Sequence, residues 1–227
     1  MTAPRTILFD VNETLLNMEP MRVAINFLLG SESSFQLWFG LLLQYSLVDN
    51  CTNNYHDFVS IAGAALEMAA TINDKKVTIK EITNTLQIIK KLSPHPDVVP
   101  GLQLLQQNGY RLATLSNSPL QTSLAQLAFA KIDLYFEAIL SVDAVKKYKP
   151  SLEPYNYAAS ILQVDINQII MVAAHGWDIA GAARAGMKTA FINRPNQALY
   201  PLTEPPTYDE KDIILFAKKL KRVMSYK

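Results

Sequence analysis

Apolar residues fall along this chain in two patterns. In the first, short runs are apolar at consecutive positions and stop at a polar residue. Thr6 to Phe9 stops at Asp10, Arg111 to Leu115 at Ser116-Asn117, Ala138 to Val142 at Asp143, Ile169 to Ala174 at His175, and Thr189 to Ile192 at Asn193. Such runs are expected of strands buried on both faces. Between them the apolar residues take helical spacing: Gly101 to Gln107, ended by Asn108-Gly109; Pro119 to Ala128, with Pro in the first turn; Pro154 to Leu162; and Asp178 to Ala185, closed by Gly186. Strand and helix alternate, which predicts an α/β fold with a Rossmann-like, doubly wound parallel sheet.

Residues 17–95 follow the second pattern. Helical periodicity dominates, and Met21 to Leu29, Ser34 to Val48, Tyr55 to Ala70 and Thr78 to Leu92 read as four helices, the second with Ser33 or Ser34 as N-cap. Ser93-Pro94-His95-Pro96 breaks the pattern. The expected organisation is an α/β core of residues 1–16 and 96–227, with an all-helical cap, residues 17–95, inserted after the first strand over the C-terminal edge of the sheet. The cap stripe Leu37, Leu41, Tyr45 suits packing against core helices or against a second copy of the chain. The tail from Asp209 to Lys227 reads as a basic final helix with a solvated face.

Composition narrows the function. Apolar residues make up 49% of the 227 residues, enough for a real core. Lys plus Arg number 21 and Asp plus Glu 20, a net charge of +1 that offers no attraction to nucleic acid or to an anionic membrane. No apolar run is long enough to span a bilayer; the longest is Leu37 to Leu43. The single cysteine, Cys51, excludes an internal disulfide and a cysteine-based zinc site. With no leader-like segment at the start, a cytoplasmic protein acting on a small molecule is the expectation.

Open α/β sheets bind ligands where their strands end. Here those ends carry Asp10, Ser116, Asn117, His175 and Asp178, with Lys149 on the loop after the third strand. A carboxylate at one strand tip can attack carbon or phosphorus to form a covalent ester or acyl phosphate. A neighbouring ammonium keeps it ionised, and a second carboxylate orients water to hydrolyse the intermediate. Each group has a plainer alternative: Asp10, Ser116 and Asp178 could be helix N-caps, and His175 a hydrogen-bonded structural residue. His56, His95 and Cys51 read as unremarkable.

Four segments carry a resemblance. Phe9-Asp10-Val11-Asn12-Glu13-Thr14-Leu15, Leu115-Ser116-Asn117, Tyr148-Lys149-Pro150 and Trp177-Asp178-Ile179-Ala180-Gly181 resemble, in order, the four motifs of the haloacid dehalogenase superfamily. Within it the chain resembles the type II 2-haloacid dehalogenases more than the phosphatases. Phosphatases of the family carry Asp two residues after the nucleophile, where this chain has Asn12. They also hold magnesium with two acidic positions in the fourth motif, where Ala174 replaces the first. The resemblance implies no cofactor and no metal, and it implies dimers. It makes Asp10 the nucleophile, displacing halide at C2 with inversion. Lys149 would keep Asp10 anionic, and Asp178 would orient the water that opens the ester. Thr14, Ser116 and Asn117 would position Asp10 and the substrate carboxylate. Tyr155 matches a Tyr near the site, and His175 would touch the halide or the water. Asn12, Trp38 and Phe39 are further candidates for the substrate wall, although Trp38 and Phe39 suit apolar filling of the cap better than direct substrate contact.

One position departs from that branch. Its better-studied members have an Arg in the first long cap helix that holds halide or carboxylate, and Phe39 stands there. Between Arg22 and Lys75 the chain has no Lys or Arg. A buried anion without a cationic partner is costly. Either core residues and backbone amides suffice for a haloacid, or the chain is a phosphatase of the same superfamily, or it is a divergent member of other activity.

Overall fold

The computed structural model describes residues 5–225, with side chains through residue 220. The elements are β1 (Thr6–Phe9), α1 (Glu19–Leu29), α2 (Ser34–Thr52), α3 (Phe58–Ile72), α4 (Ile79–Gln87), α5 (Val98–Gln107), β2 (Arg111–Ser116), α6 (Leu120–Phe129), β3 (Ala138–Ser141), α7 (Leu152–Leu162), β4 (Ile169–Ala173), α8 (Gly176–Arg184), β5 (Lys188–Ile192), β6 (Tyr208–Glu210) and α9 (Ile213–Ser225). All six strands are parallel, in the order β3-β2-β1-β4-β5-β6. The winding reverses at β1, which pairs with β2 on one side and β4 on the other. The C-terminal end of β1 is therefore the switch point at which such sheets bind ligands.

Side chains alternate across each strand. Ile7 and Phe9 belong to a core that runs on into the α1–α4 layer, whereas Leu8 faces a second core with Ala158, Leu162 and Met171. The four helices between β1 and β2 start and stop for local reasons. The second buries Phe35, Trp38, Leu42 and Asp49, a stripe at helical spacing. The third starts at Phe58 rather than Tyr55 because the Asp57 carboxylate accepts from the amides of Val59 and Ser60. The fourth opens with a reciprocal Thr78–Glu81 capping box and tightens into a 3-10 turn over Ile88–Lys91.

The structure refines three sequence expectations. Ser33 is the N-cap residue of α2 but makes no side-chain cap bond, and the Ser34 hydroxyl is buried without a partner. Ser33 sits at helical dihedrals, from which its hydroxyl pairs with Ser31 instead. The tail is not one solvated helix. Tyr208–Glu210 pairs with β5 as an edge strand, and Ile213, Phe216, Ala217 and Leu220 of α9 are buried against the sheet and α5. Three residues are too few for periodicity to reveal a strand. Leu37 and Leu41 pack on the protein's own core, while Tyr45 is exposed. Among the described residues no helix is long and apolar enough to cross a membrane.

Candidate active site

Asp10 leaves the end of β1 into a tight turn in which Val11 accepts from the amides of Leu15 and Leu16. The turn brings Thr14 back over the strand end. Its hydroxyl donates to Asp10 Oδ2 at 2.7 Å and accepts from the Ala174 amide at 2.9 Å, tying the first and fourth motifs together. The turn is itself anchored. The Arg194 guanidinium donates to the Thr14 carbonyl and pairs with Asp97 at 2.7 Å, while the His95 ring donates from Nε2 to the Glu13 carbonyl.

Lys149 is fully buried, and its ammonium has three partners: Asp10 Oδ1 at 2.9 Å, Asp178 Oδ2 at 2.6 Å and the Leu115 carbonyl at 2.9 Å. All three of its protons are used. Asn117 Oδ1 accepts from the Lys149 amide at 3.0 Å and so fixes the loop that carries the ammonium. Ser116 accepts from the Ser118 amide; it caps a local turn, and Pro119 is the N-cap of α6. Asp178 lies in the first turn of α8, where His175 is the N-cap residue, so it is not itself the cap. The hydroxyl of Tyr155 donates to Asp178 Oδ1 at 2.6 Å; the structure sets this side chain to hold Asp178 rather than to line the cavity. Gly181 makes the packing feasible, since a Cβ there would fall 2.5 Å from Pro150 and 2.6 Å from the Tyr155 hydroxyl.

The electrostatics follow from these contacts. Burial pushes Asp10 up, but Lys149 and His175 together outweigh it and hold the carboxyl well below the usual carboxylate range. Burial, reinforced by the Asp10 charge, leaves Asp178 above its ordinary value despite Lys149 and Tyr155. Burial would discharge Lys149, yet its two carboxylates raise its pKa and keep it charged. Burial and Asp178 raise Tyr155, which stays a neutral donor.

His175 sits beside Asp10, with Nδ1 3.1 Å from Asp10 Oδ2 and Nε2 2.8 Å from Glu13 Oε2. Phe39 and Trp177 both stack on its ring, at 5.8 and 5.1 Å between centroids. A cavity of about 40 Å³, room for a few heavy atoms, lies next to this cluster. Its walls include Trp38, Phe39, Leu42, Phe58 and Ala62 from the helical layer, with Asn12, Ser118 and Thr122 from the sheet side. Asp10 is only 5% exposed and is not itself a wall; Asn12 and Phe39 connect cavity and cluster. Trp38 contributes its ring alone, since its N–H donates to the Ala62 carbonyl inside the helical layer.

The structure thus brings Asp10, Thr14, Ser116, Asn117, Lys149, Tyr155, His175 and Asp178 together at the switch point. Four contributors escaped sequence reasoning. Glu13 lies inside the first motif but is paired with a residue 162 positions away, and Arg194 and His95 reach the turn from distant loops. Gln126 donates from α6 to Asn12 Oδ1 at 2.8 Å. Of these, only Glu13 offered a signal, as an acidic residue inside a motif. The donor set does not suit magnesium: Lys149 lies between the two carboxylates that would have to share the ion, and Ala174 offers no ligand.

Residues 7–192 match the family model for haloacid dehalogenase-like hydrolases. The (S)-2-haloacid dehalogenase 4A of Burkholderia cepacia is 31% identical over 210 residues, 90% of this chain and 87% of its own length. The (S)-2-haloacid dehalogenase 1 of Pseudomonas sp. strain CBS-3 is 30% identical over 195 residues, 85% of this chain and 86% of its own length. Among solved structures, the L-2-haloacid dehalogenase RSc1362 superposes with a TM-score of 0.92 at 26% identity, over 97% of this chain and 100% of that one.

Proposed function

We propose that this chain, which belongs to the haloacid dehalogenase-like hydrolases, hydrolyses the carbon–halogen bond of short 2-haloacids through an ester formed on Asp10, without a metal ion. The observation that carries this reading is the place of the Lys149 ammonium, in contact with both Asp10 and Asp178. It keeps the first carboxylate ionised and stands where a bridging dication would need to be. The names of the relatives, (S)-2-haloacid dehalogenases over most of their length, support the same substrate class.

Asp10 Oδ2 is held by Thr14 and His175, so Oδ1, which among the described residues accepts only from Lys149, at 2.9 Å, keeps a lone pair for attack. The new bond from Oδ1 to C2 forms as the carbon–halogen bond breaks, and halide leaves with the electron pair. It needs no proton. That suits Asn12, whose amide donates to Ser118 and accepts from Gln126 and has no acidic proton to give to an alkoxide. Trp177 Nε1 is buried without a hydrogen-bond partner, a donor available to a bound anion. Water then attacks the ester at Asp10 Cγ, giving its proton to Asp178, whose raised pKa suits it as acceptor. The products are the 2-hydroxyacid, halide and one proton. In this reading residues 17–95 are the cap, closing the core of residues 1–16 and 96–227 and excluding water from the reaction.

Halide release from chloroacetate and 2-chloropropionate should persist in EDTA. A single turnover in ¹⁸O-water should label the peptide containing Asp10 and leave the first hydroxyacid unlabelled. Label in the product instead, or magnesium-dependent release of phosphate from p-nitrophenyl phosphate with no halide release, would overturn the proposal.

A further inference from the structure

Both ring nitrogens of His175 face carboxylates: Asp10 Oδ2 at Nδ1 and Glu13 Oε2 at Nε2. A neutral imidazole has one N–H and one lone pair, so it would set that lone pair against one of the two anions; only the imidazolium donates to both. The ring is 3% exposed, so water cannot relieve such a mismatch. Glu13 is fixed in turn. Gln197 donates to the same Oε2 at 2.9 Å, and Arg22 of α1 lies 4.0 Å from Oε1. Its backbone takes a φ of +60°, a conformation uncommon for a residue with a side chain. Among the described residues, the two rings stacked on it are uncharged: Phe39 from α2 and Trp177 from α8. Lys149 from the third-motif loop acts on the other oxygen of Asp10.

We propose that Glu13 is a positioning residue that holds His175 as a doubly protonated cation beside Asp10, placing in the core the positive charge that the cap lacks between Arg22 and Lys75. The use of that charge rests on the function proposed above. A haloacid brings its own carboxylate to a site that already holds Asp10 and Asp178, and Lys149 alone does not neutralise all of them. His175 offsets the substrate's charge on binding. It also stabilises Asp10 before attack, so its benefit falls on KM rather than on kcat. Burial alone would lower the His175 pKa, but its bonds to Asp10 and Glu13 raise it to about 9.

The chain has only three histidines, His56, His95 and His175, so each imidazole can be followed by ¹⁵N NMR as pH is varied. In the unmodified protein His175 should be doubly protonated at pH 7. In Glu13→Gln its proton affinity should fall at least tenfold. In parallel, the KM for chloroacetate should begin to rise at least one pH unit earlier than in the unmodified protein, a larger change than any in kcat. A neutral His175 at pH 7 in the unmodified protein overturns the proposal and needs no variant; so does an unchanged titration in a folded Glu13→Gln protein. If no haloacid releases halide, the proposed function fails, while the ring titration still decides the role of Glu13.

Discussion

The two sides of the molecule that meet beside the cavity are built in opposite ways. On the sheet side, Asp10, Glu13, Lys149, His175 and Asp178 form a continuous chain of charged contacts. On the helical side, Trp38, Phe39, Leu42, Phe58 and Ala62 present hydrocarbon and rings. Several polar groups of that layer are spent on its own backbone. Trp38 donates to Ala62, Asn26 bonds the backbone of Glu32 and Phe35, and Asp57 and Thr78 cap helices. The contrast teaches a division of labour. One side holds the charges that the proposed chemistry needs. The other lowers the polarity around those charges, which strengthens their interactions.

The strongest way to break the contrast is to remove the charge the sheet side shares. Lys149→Met leaves two buried carboxylates facing each other, and should cost about 3–5 kcal/mol of stability together with nearly all halide release. Denaturant unfolding beside a halide assay reads both; a variant of unchanged stability would show that the ammonium is not the hub of the wall.

A smaller effect comes from pH. The His175 pKa stands at about 9, above its ordinary 6.5. Its contribution to stability is therefore complete below pH 6.5 and lost as pH rises through 9. The stability difference between the unmodified protein and His175→Asn should shrink by on the order of 3 kcal/mol across that window. A difference that is flat with pH would mean that the ring is neutral.

Moving the charge from one wall to the other sharpens the comparison. Phe39→Arg alone sets a cation against the imidazolium and should raise KM about tenfold. Combined with His175→Asn, it should recover activity relative to either single change, a coupling of about 1–2 kcal/mol in a double-mutant cycle on kcat/KM. Additive effects would separate the two positions. The smallest effect belongs to the far edge of the helical layer. Thr78→Ala should cost about 1 kcal/mol through its lost capping box and leave kcat unchanged.

The sheet side was the more legible of the two in the sequence. Its strands are consecutive apolar runs, and Asp10, Ser116 and His175 mark where three of them stop, because a buried strand must return to polar groups at its tip. Lys149 and Asp178 were legible through their motifs. What could not be read was how polar residues pair over long separations. Arg194 looks like an ordinary surface charge, and Glu13, although inside a motif, shows no partner until the turn at Thr14 draws both inward. Tyr155 was placed near the site, but its partner, Asp178, depends on how closely α7 approaches α8. The stacking of Phe39 on His175 depends on how the helical layer is docked, which local periodicity does not encode.

The pairing of Arg194 also bears on the order in which a growing chain can be completed. Asp97, which holds Arg194 against the Thr14 carbonyl, also accepts from the amide of Ile213 at the start of α9. The strand that ends at Asp10 precedes the other five along the chain, yet its neighbours come from residues 111–116 and 169–173, and a further clasp on its turn comes from residue 213. A nascent chain at the ribosome must carry β1 unpaired at least until β2 has been made. The turn that holds Asp10 gains this clasp only once α9 has been made.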